Sequence, residues 1–77
     1  MPRLIALHWK VLECIFEKDG FEFDRQERSH RAYSKEGIPR PIIIPTHKDV
    51  DRDIILGLMR TARMTRERFF ELLKVCK

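Results

Sequence analysis

The spacing of apolar residues changes twice along the chain, and this change constrains the fold more than any other feature. Near the N-terminus, Leu12, Ile15 and Phe16 recur at the i, i+3, i+4 spacing of one helix face. The spacing predicts a helix over residues 8–19. Gly20 is well suited to follow its last turn, because glycine readily takes the left-handed conformation found there. From residue 21 the period falls to two, which is typical of strands.

The first two strands are predicted on either side of a polar turn at residues 26–29. In the first strand, one face carries Phe21, Phe23 and Arg25, and the other carries Glu22, Asp24 and Gln26. The second strand covers residues 30–35. Its alternation places Ala32 on one face and Arg31, Tyr33 and Lys35 on the other.

A third strand is predicted at Ile42, Ile43 and Ile44, after a second turn at residues 36–39. Pro41 and Pro45 bracket these β-branched residues. Because proline has no backbone N–H to donate, we expect this strand at an edge of the sheet.

The helical period returns after residue 50 in two segments. Asp49 or Asp51 caps the first, a break follows at residues 63–64, and Thr65 caps the second. The apolar positions of the two segments are Ile54, Ile55, Leu58, Met59, Ala62, Phe69, Leu72, Leu73 and Cys76. The predicted order is α-β-β-β-α-α. The fold class is α+β, a three-stranded antiparallel sheet with helices on one face.

The 77 residues have room for one hydrophobic core, so we expect a single domain over residues 1–77. No apolar run reaches the roughly 18 residues of a membrane span, and His8 and Lys10 interrupt any signal sequence. Cys14 and Cys76 form no CxxC pair, so we expect reduced thiols in a cytoplasmic protein. The histidine spacings match no zinc motif, and we expect no metal or other cofactor.

The net charge is +4 at pH 7, and the isoelectric point is near 9.4. The excess lies toward the C-terminus, where residues 51–77 hold seven basic and four acidic side chains. Most of the cations are arginine, whose planar fork matches phosphate. This balance indicates a nucleic-acid partner, although many small basic domains have none.

The strongest candidate for chemistry is His30, at the predicted hairpin. Cleaving RNA without a metal requires a base for the 2′-OH, an acid for the leaving oxygen, and cations for the phosphorane charge. Imidazole suits the first two tasks because its unperturbed pKa is about 6.5. Arg25, Arg28 and Arg31 are candidates to hold phosphate, with Ser29 adding a donor. The alternative is a solvated turn whose histidine has no function.

The remaining candidates each have two interpretations. His47 is either a second acid–base group near His30 or an ordinary loop histidine. Trp9 and Tyr33 either stack on bases or belong to the core. His8 is expected to be an exposed or capping residue. Residues 51–75 also resemble a DNA-binding helix-turn-helix, but the last helix is too apolar to face a groove.

Four segments of the chain resemble the HicA toxin family, small ribosome-independent mRNA interferases of bacterial toxin–antitoxin pairs. Gly20 to His30 are similar to the family signature GF-x-x-x-R-Q-x-GSH. The other three segments are Trp9 to Leu12, Ile44 to His47, and a C-terminal stretch comprising Leu58 to Ala62, Met64-Thr65 and Phe69 to Leu73.

The resemblance implies a double-stranded-RNA-binding-domain-like fold, a catalytic role for His30, mRNA as substrate and an antitoxin of the HicB type as partner. Arg28 and Arg63 stand where the family pattern has glycine. Glycine allows positive φ and close approach of the backbone to phosphate. Arg28 therefore either blocks that approach or replaces it with a charged contact. The predicted function is a metal-independent endoribonuclease toxin; the alternative is a non-catalytic RNA-binding domain of the same fold.

Overall fold

The computed structural model describes residues 3–77, which form three helices and three strands. In chain order these are α1 (Trp9–Lys18), β1 (Glu22–Glu27), β2 (His30–Ser34), β3 (Ile42–Pro45), α2 (Arg52–Ala62) and α3 (Arg66–Cys76). The predicted α+β class and the order α-β-β-β-α-α are confirmed. Within this range no helix has the length and apolar character needed to cross a membrane.

The three strands form one antiparallel sheet in the order β1-β2-β3, with β2 in the centre. The bracketed isoleucine strand lies at an edge, as its two prolines predict. A short bridge between Leu7 and Val50 joins the segment before α1 to the segment before α2.

The helices cover one face of the sheet and bury the core there. Tyr33, Ile42 and Ile44 point from the sheet into this core and are fully buried or nearly so. The larger side chains that the helices contribute are Leu12, Ile15, Phe16, Ile55, Leu58, Met59, Phe69 and Leu72. Trp9 packs partly buried against the same core. For Tyr33, the core interpretation is therefore correct and base stacking is wrong.

The strand alternation predicted for β1 is wrong beyond Phe23, because a β-bulge shifts the register between Phe23 and Arg25. Phe23 pairs with Tyr33 on the helix-covered face, whereas Arg25 pairs with Ala32 on the opposite, open face. An inserted residue in one strand reverses the side-chain alternation that follows it. The bulge thus moves Arg25 to the face that carries Ala32.

The helix ends follow the sequence signals closely. His8 caps α1 by accepting a hydrogen bond from the Lys10 N–H (3.1 Å), and Gly20 follows the helix at φ 107°. Thr65 caps α3 by accepting from the Arg68 N–H (3.1 Å). Asp51 precedes α2, although its side chain makes no capping bond.

The expectation of reduced thiols is wrong in this structure: Cys14 and Cys76 form a disulfide, with their Cα atoms 5.8 Å apart. Cys14 lies on α1, and Cys76 is the last residue of α3. The two cysteines are 62 positions apart and meet only because α1 packs against α3. Sequence spacing alone does not reveal such a contact.

Candidate functional site

The β1–β2 hairpin turns through two residues, Arg28 and Ser29, and so starts β2 directly with His30. His30 pairs with Glu27 across the hairpin and with Pro45 on β3. Arg28 has a φ of 54°, in the left-handed region that glycine favours. The backbone of His30 is therefore held at the end of the central strand, where its exposed imidazole adjoins a turn in an uncommon conformation.

A shallow depression of about 360 Å³ lies at the His30 end of the open sheet face. Its lining residues are Arg25, Glu27, His30, Ala32 and Ile43. The β1 bulge is what brings Arg25 to this face. Arg25 is exposed and approaches two carboxylates, with its nitrogens 3.2 Å from an Asp24 oxygen and 3.8 Å from a Glu27 oxygen. Exposed ion pairs of this kind are weak, so an incoming anion can compete for the guanidinium.

The segment after β3 is tied to the hairpin turn. The Ser29 carbonyl accepts hydrogen bonds from the Thr46 N–H (2.8 Å) and the Thr46 hydroxyl (3.1 Å). His47 follows directly, and its carbonyl accepts from the Trp9 N–H at 3.1 Å. His47 thus lies at the same end of the sheet as His30, but it does not line the depression.

Arg31 lies on the opposite face from His30, because successive residues of β2 point to opposite sides of the sheet. Its guanidinium donates to Glu13 of α1 (3.1 Å), to the Tyr33 hydroxyl (3.0 Å) and to the Gln26 side-chain oxygen (2.7 Å). It also lies 4.2 Å from the centre of the Phe23 ring. All of these partners belong to the protein itself.

Gln26 extends this set of contacts to the hairpin turn. Its side-chain N–H donates to the Arg28 carbonyl at 2.9 Å, while its oxygen accepts from Arg31. The Tyr33 hydroxyl donates to the Glu13 carboxylate. A continuous path of hydrogen bonds therefore runs from helix α1 through Arg31 and Gln26 to the turn beside His30. We refer to Glu13, Gln26, Arg31 and Tyr33 as the supporting network.

The electrostatics of the supporting network follow from its contacts. Burial and the hydrogen bond to Glu13 raise the pKa of Tyr33 to about 12. The hydrogen bond to Tyr33, together with the nearby Glu13 charge, raises the pKa of Arg31 above its usual value despite the opposing effect of burial. Arg31 therefore stays charged, and Tyr33 stays protonated, throughout the physiological range.

The predicted site residues thus lie in three places around the hairpin. His30 and Arg25 share the open face, Arg28 and Ser29 form the adjoining turn, and Arg31 is on the other side of the sheet. Within the described range, 3–77, no three histidine, cysteine or carboxylate side chains cluster closely enough to hold a metal ion.

The chain was compared with models of known protein families, and one of these models matches most of its length. The model of the HicA toxin of bacterial toxin–antitoxin pairs matches residues 9–64, which include the whole sheet and the hairpin turn. The chain belongs to the HicA toxin family. The search of curated proteins found no match. As a family member, the chain is the toxin of a toxin–antitoxin system, and it has an antitoxin as its partner.

Sequence reasoning did not include Glu13 and Gln26, which belong to the supporting network, among the candidate residues. Gln26 is the second residue of the Arg-Gln pair in the family signature. The strand alternation, however, gave no reason to predict a hydrogen bond between Gln26 and Arg31. Glu13 follows buried Leu12 on α1, and a half-buried carboxylate at such a position needs a cationic or hydrogen-bonding partner. That requirement is a usable signal, but it does not identify the partner.

Proposed function

We propose that this HicA toxin is a metal-independent endoribonuclease that cleaves mRNA, with His30 as its acid–base residue. The observation that supports it most is the placement of His30. An exposed imidazole at the end of the central strand shares an open depression with Arg25 and adjoins the Arg28 turn. An RNA strand needs such an open, cation-bearing surface, because its backbone must reach the imidazole.

The proposed reaction is attack by a ribose 2′-oxygen on the adjacent phosphorus. His30 takes the 2′-OH proton as the new P–O bond forms, and the bond from phosphorus to the 5′-oxygen breaks. The leaving oxygen must receive a proton, for which His47, at the same end of the sheet, is the candidate. The products are a 2′,3′-cyclic phosphate and a free 5′-hydroxyl.

The cations beside His30 are proposed to hold the scissile phosphate and to stabilise charge on it in the transition state. Arg25 on the open face and Arg28 in the turn are placed for this role, with Ser29 as an added donor. Arg31 has a different proposed role. Its guanidinium is held by Glu13, Gln26 and Tyr33 on the far side of the sheet, so we assign it to supporting the turn rather than to binding phosphate.

The proposed antitoxin is of the HicB type and covers the His30 depression. A cell must restrain a nuclease that cuts its mRNA, and a basic site is most simply blocked by an acidic partner that competes with RNA. We place the reaction in the cytoplasm, where mRNA is found, and assign it to one HicA-like domain over residues 1–77.

The decisive experiment measures cleavage of single-stranded RNA in EDTA by the wild-type protein and by His30→Ala. We expect the wild type to cut, and the variant to lose about 10²–10⁴ in rate with an unchanged circular dichroism spectrum. His8→Asn is the matched control. It removes an imidazole elsewhere but keeps a good helix cap, so its cleavage rate should equal that of the wild type.

Each other outcome has a distinct meaning. A wild-type protein that retains RNA without cutting it would support the non-catalytic RNA-binding alternative. A preference for duplex DNA would support the helix-turn-helix alternative. Full activity in His30→Ala would refute the assignment of His30 while leaving the nuclease proposal intact.

A further inference from the structure

A second cationic depression of about 330 Å³ lies between the β2–β3 loop and the C-terminal end of α2, and it shares no lining residue with the His30 depression. Its lining residues are Pro39, Arg40, Arg60, Thr61 and Arg63. Arg40 lies two residues before Ile42, the first residue of β3, whereas His30 pairs with the last residue, Pro45. The two depressions therefore lie toward opposite ends of the edge strand.

The three arginines of this depression carry charge that the protein itself does not neutralise. All three are exposed, and none is within 4 Å of a carboxylate among the residues that the structure describes. Arg60 and Arg63 are near neighbours on the end of α2, and Arg40 reaches the same depression from a different segment. Three like charges around one depression repel each other, and a bound anion relieves that repulsion.

Arg63 also holds a backbone conformation that an arginine adopts only at a cost. It follows α2 at φ 56° and ψ 38°, the left-handed region that glycine normally supplies after a helix. The helix end is otherwise well formed, with the Arg63 N–H bonded to the Arg60 carbonyl and the Met64 N–H bonded to the Met59 carbonyl. Strain that persists in a regular structure is a pointer to function.

We propose that Arg40, Arg60 and Arg63 form a second phosphate-binding site that holds the RNA backbone away from the point of cleavage. The proposal rests on the proposed function, because it takes RNA as the substrate. One guanidinium group can donate two parallel hydrogen bonds to the oxygens of a phosphate, and the Thr61 hydroxyl adds a further donor. Contacts to the phosphate backbone position a nucleic acid without reading its sequence.

The lining favours RNA over a protein partner. Protein interfaces gain their affinity from a buried apolar or aromatic centre, surrounded by a polar rim. Here the only apolar side chain is Pro39, and guanidinium groups dominate the lining. Binding of an acidic segment of the antitoxin is the competing outcome, and the experiment separates it.

The test measures binding of a single-stranded RNA whose riboses carry 2′-O-methyl groups, so that the 2′-oxygen cannot attack. The test variant combines Arg40→Ala, Arg60→Ala and Arg63→Gly. The matched control combines Arg52→Ala, Arg66→Ala and Lys74→Ala, which removes three exposed cations outside both depressions. The two variants have the same net charge. A difference between their RNA affinities therefore reports the loss of this particular site rather than the loss of positive charge in general.

If the three arginines hold two phosphates, the log–log salt slope of the test variant should be shallower than that of the control by about 1.4, a loss of roughly 25-fold in affinity at 0.1 M salt. Arg63→Gly alone should weaken RNA binding and yet raise the melting temperature by roughly 4–8 °C, because glycine relieves the strain. A role confined to ending the helix predicts the change in melting temperature without the loss of affinity.

Equal affinity and slope in the test and control variants would overturn the proposal. So would a test variant that binds RNA normally but loses the antitoxin, since the depression would then be a protein site. These failures differ from a failure of the proposed function. If the wild type binds RNA through these arginines but does not cut it, the phosphate site stands and the nuclease assignment falls.

Discussion

Tyr33, the chain's single tyrosine, carries much of the connection between α1 and the sheet. Its ring is fully buried in the core, while its hydroxyl reaches the half-buried Glu13 carboxylate. Arg31 donates to the same hydroxyl and to the same carboxylate. Three polar groups that would each be costly to bury alone therefore satisfy one another.

This arrangement predicts a loss of stability at high pH. The folded-state pKa of Tyr33 is raised to about 12, above the unfolded value near 10. The stabilisation is therefore fully present below about pH 10 and is lost as the pH rises toward 12, by about 2–3 kcal/mol in total. Urea unfolding at a series of alkaline pH values measures this loss, and the tyrosinate absorbance reports the titration directly.

Tyr33→Phe is the control for this titration. It removes the two hydrogen bonds of the hydroxyl, one donated to Glu13 and one accepted from Arg31, so the free energy of unfolding should fall by about 2–3 kcal/mol at neutral pH. The two proteins differ in this one hydroxyl, so the difference between the two pH profiles isolates Tyr33. Parallel profiles above pH 10 would show that the hydroxyl titrates equally in the folded and unfolded states.

At the scale of a residue, Arg31 shows which features the sequence could predict and which it could not. The alternation in β2 correctly placed Arg31 and Tyr33 on one face and Ala32 on the other. It did not say which face the helices cover, because both candidate faces carried one apolar group among polar ones. His30 was predicted as a candidate from its residue type and from the family signature, whereas the partners of Arg31 depend on contacts with α1.

At the scale of elements, Gly57 is a weak point inside α2. A Cβ built at this position meets no atom within 4 Å other than those of its chain neighbours and of the backbone of its own helix, and α2 continues regularly through it. Gly57→Ala should therefore raise the free energy of unfolding by about 0.5–1 kcal/mol, by restricting the unfolded chain. Urea denaturation measures the change.

Gly20→Ala is the contrasting substitution. Gly20 holds φ 107°, and a Cβ there would lie 3.3 Å from the Lys35 Cε. This substitution should destabilise the protein, since the conformation is strained for any L side chain. Equal changes in the free energy of unfolding for the two substitutions would contradict this prediction. They would mean that neither the backbone conformation nor the space around each glycine determines the effect of adding a Cβ.

The elements themselves were predictable because local signals set them. The period of the apolar residues, the helix caps and the prolines predicted all three helices and all three strands, with small errors at the ends of each. The bulge in β1 was not predictable in this way, since the alternation of Phe23 and Arg25 is compatible with a regular strand. The bulge is a property of the β1–β2 pairing, and it decides that Arg25 shares a face with His30.

At the scale of the whole molecule, packing brings together what the sequence separates. Arg40 and Arg60 are twenty positions apart, yet they line one depression because the β2–β3 loop meets the end of α2. The composition indicated a basic protein whose excess of positive charge lies toward the C-terminus. The overall charge of the proposed RNA surface was therefore predictable from the sequence. The presence of two separate cationic depressions toward opposite ends of β3 was not predictable, because only tertiary contacts determine it.

The disulfide also joins residues that are far apart in the sequence, and it leads to the last prediction. Cys14 and Cys76 enclose nearly the whole chain between them, with a separation of 62 positions. Closing a loop of that length restricts the unfolded chain by about 4 kcal/mol in the chain-entropy model. A domain of 77 residues has about 4–12 kcal/mol of total stability, so the bond is a large part of it.

We therefore expect reductant to lower the urea midpoint of the wild type strongly, and to leave a Cys14→Ala, Cys76→Ala double variant unchanged. The reduced wild type and the variant should have similar stability, since both lack the constraint on the unfolded chain. The core side chains of α1, among them Leu12 and Ile15, do not depend on the bond, so both proteins should still fold at low temperature. A wild-type midpoint that is insensitive to reductant, with alkylation showing both thiols free beforehand, would mean that the cysteines are adjacent but unbonded in solution. The chain would then rely on its core alone for its stability.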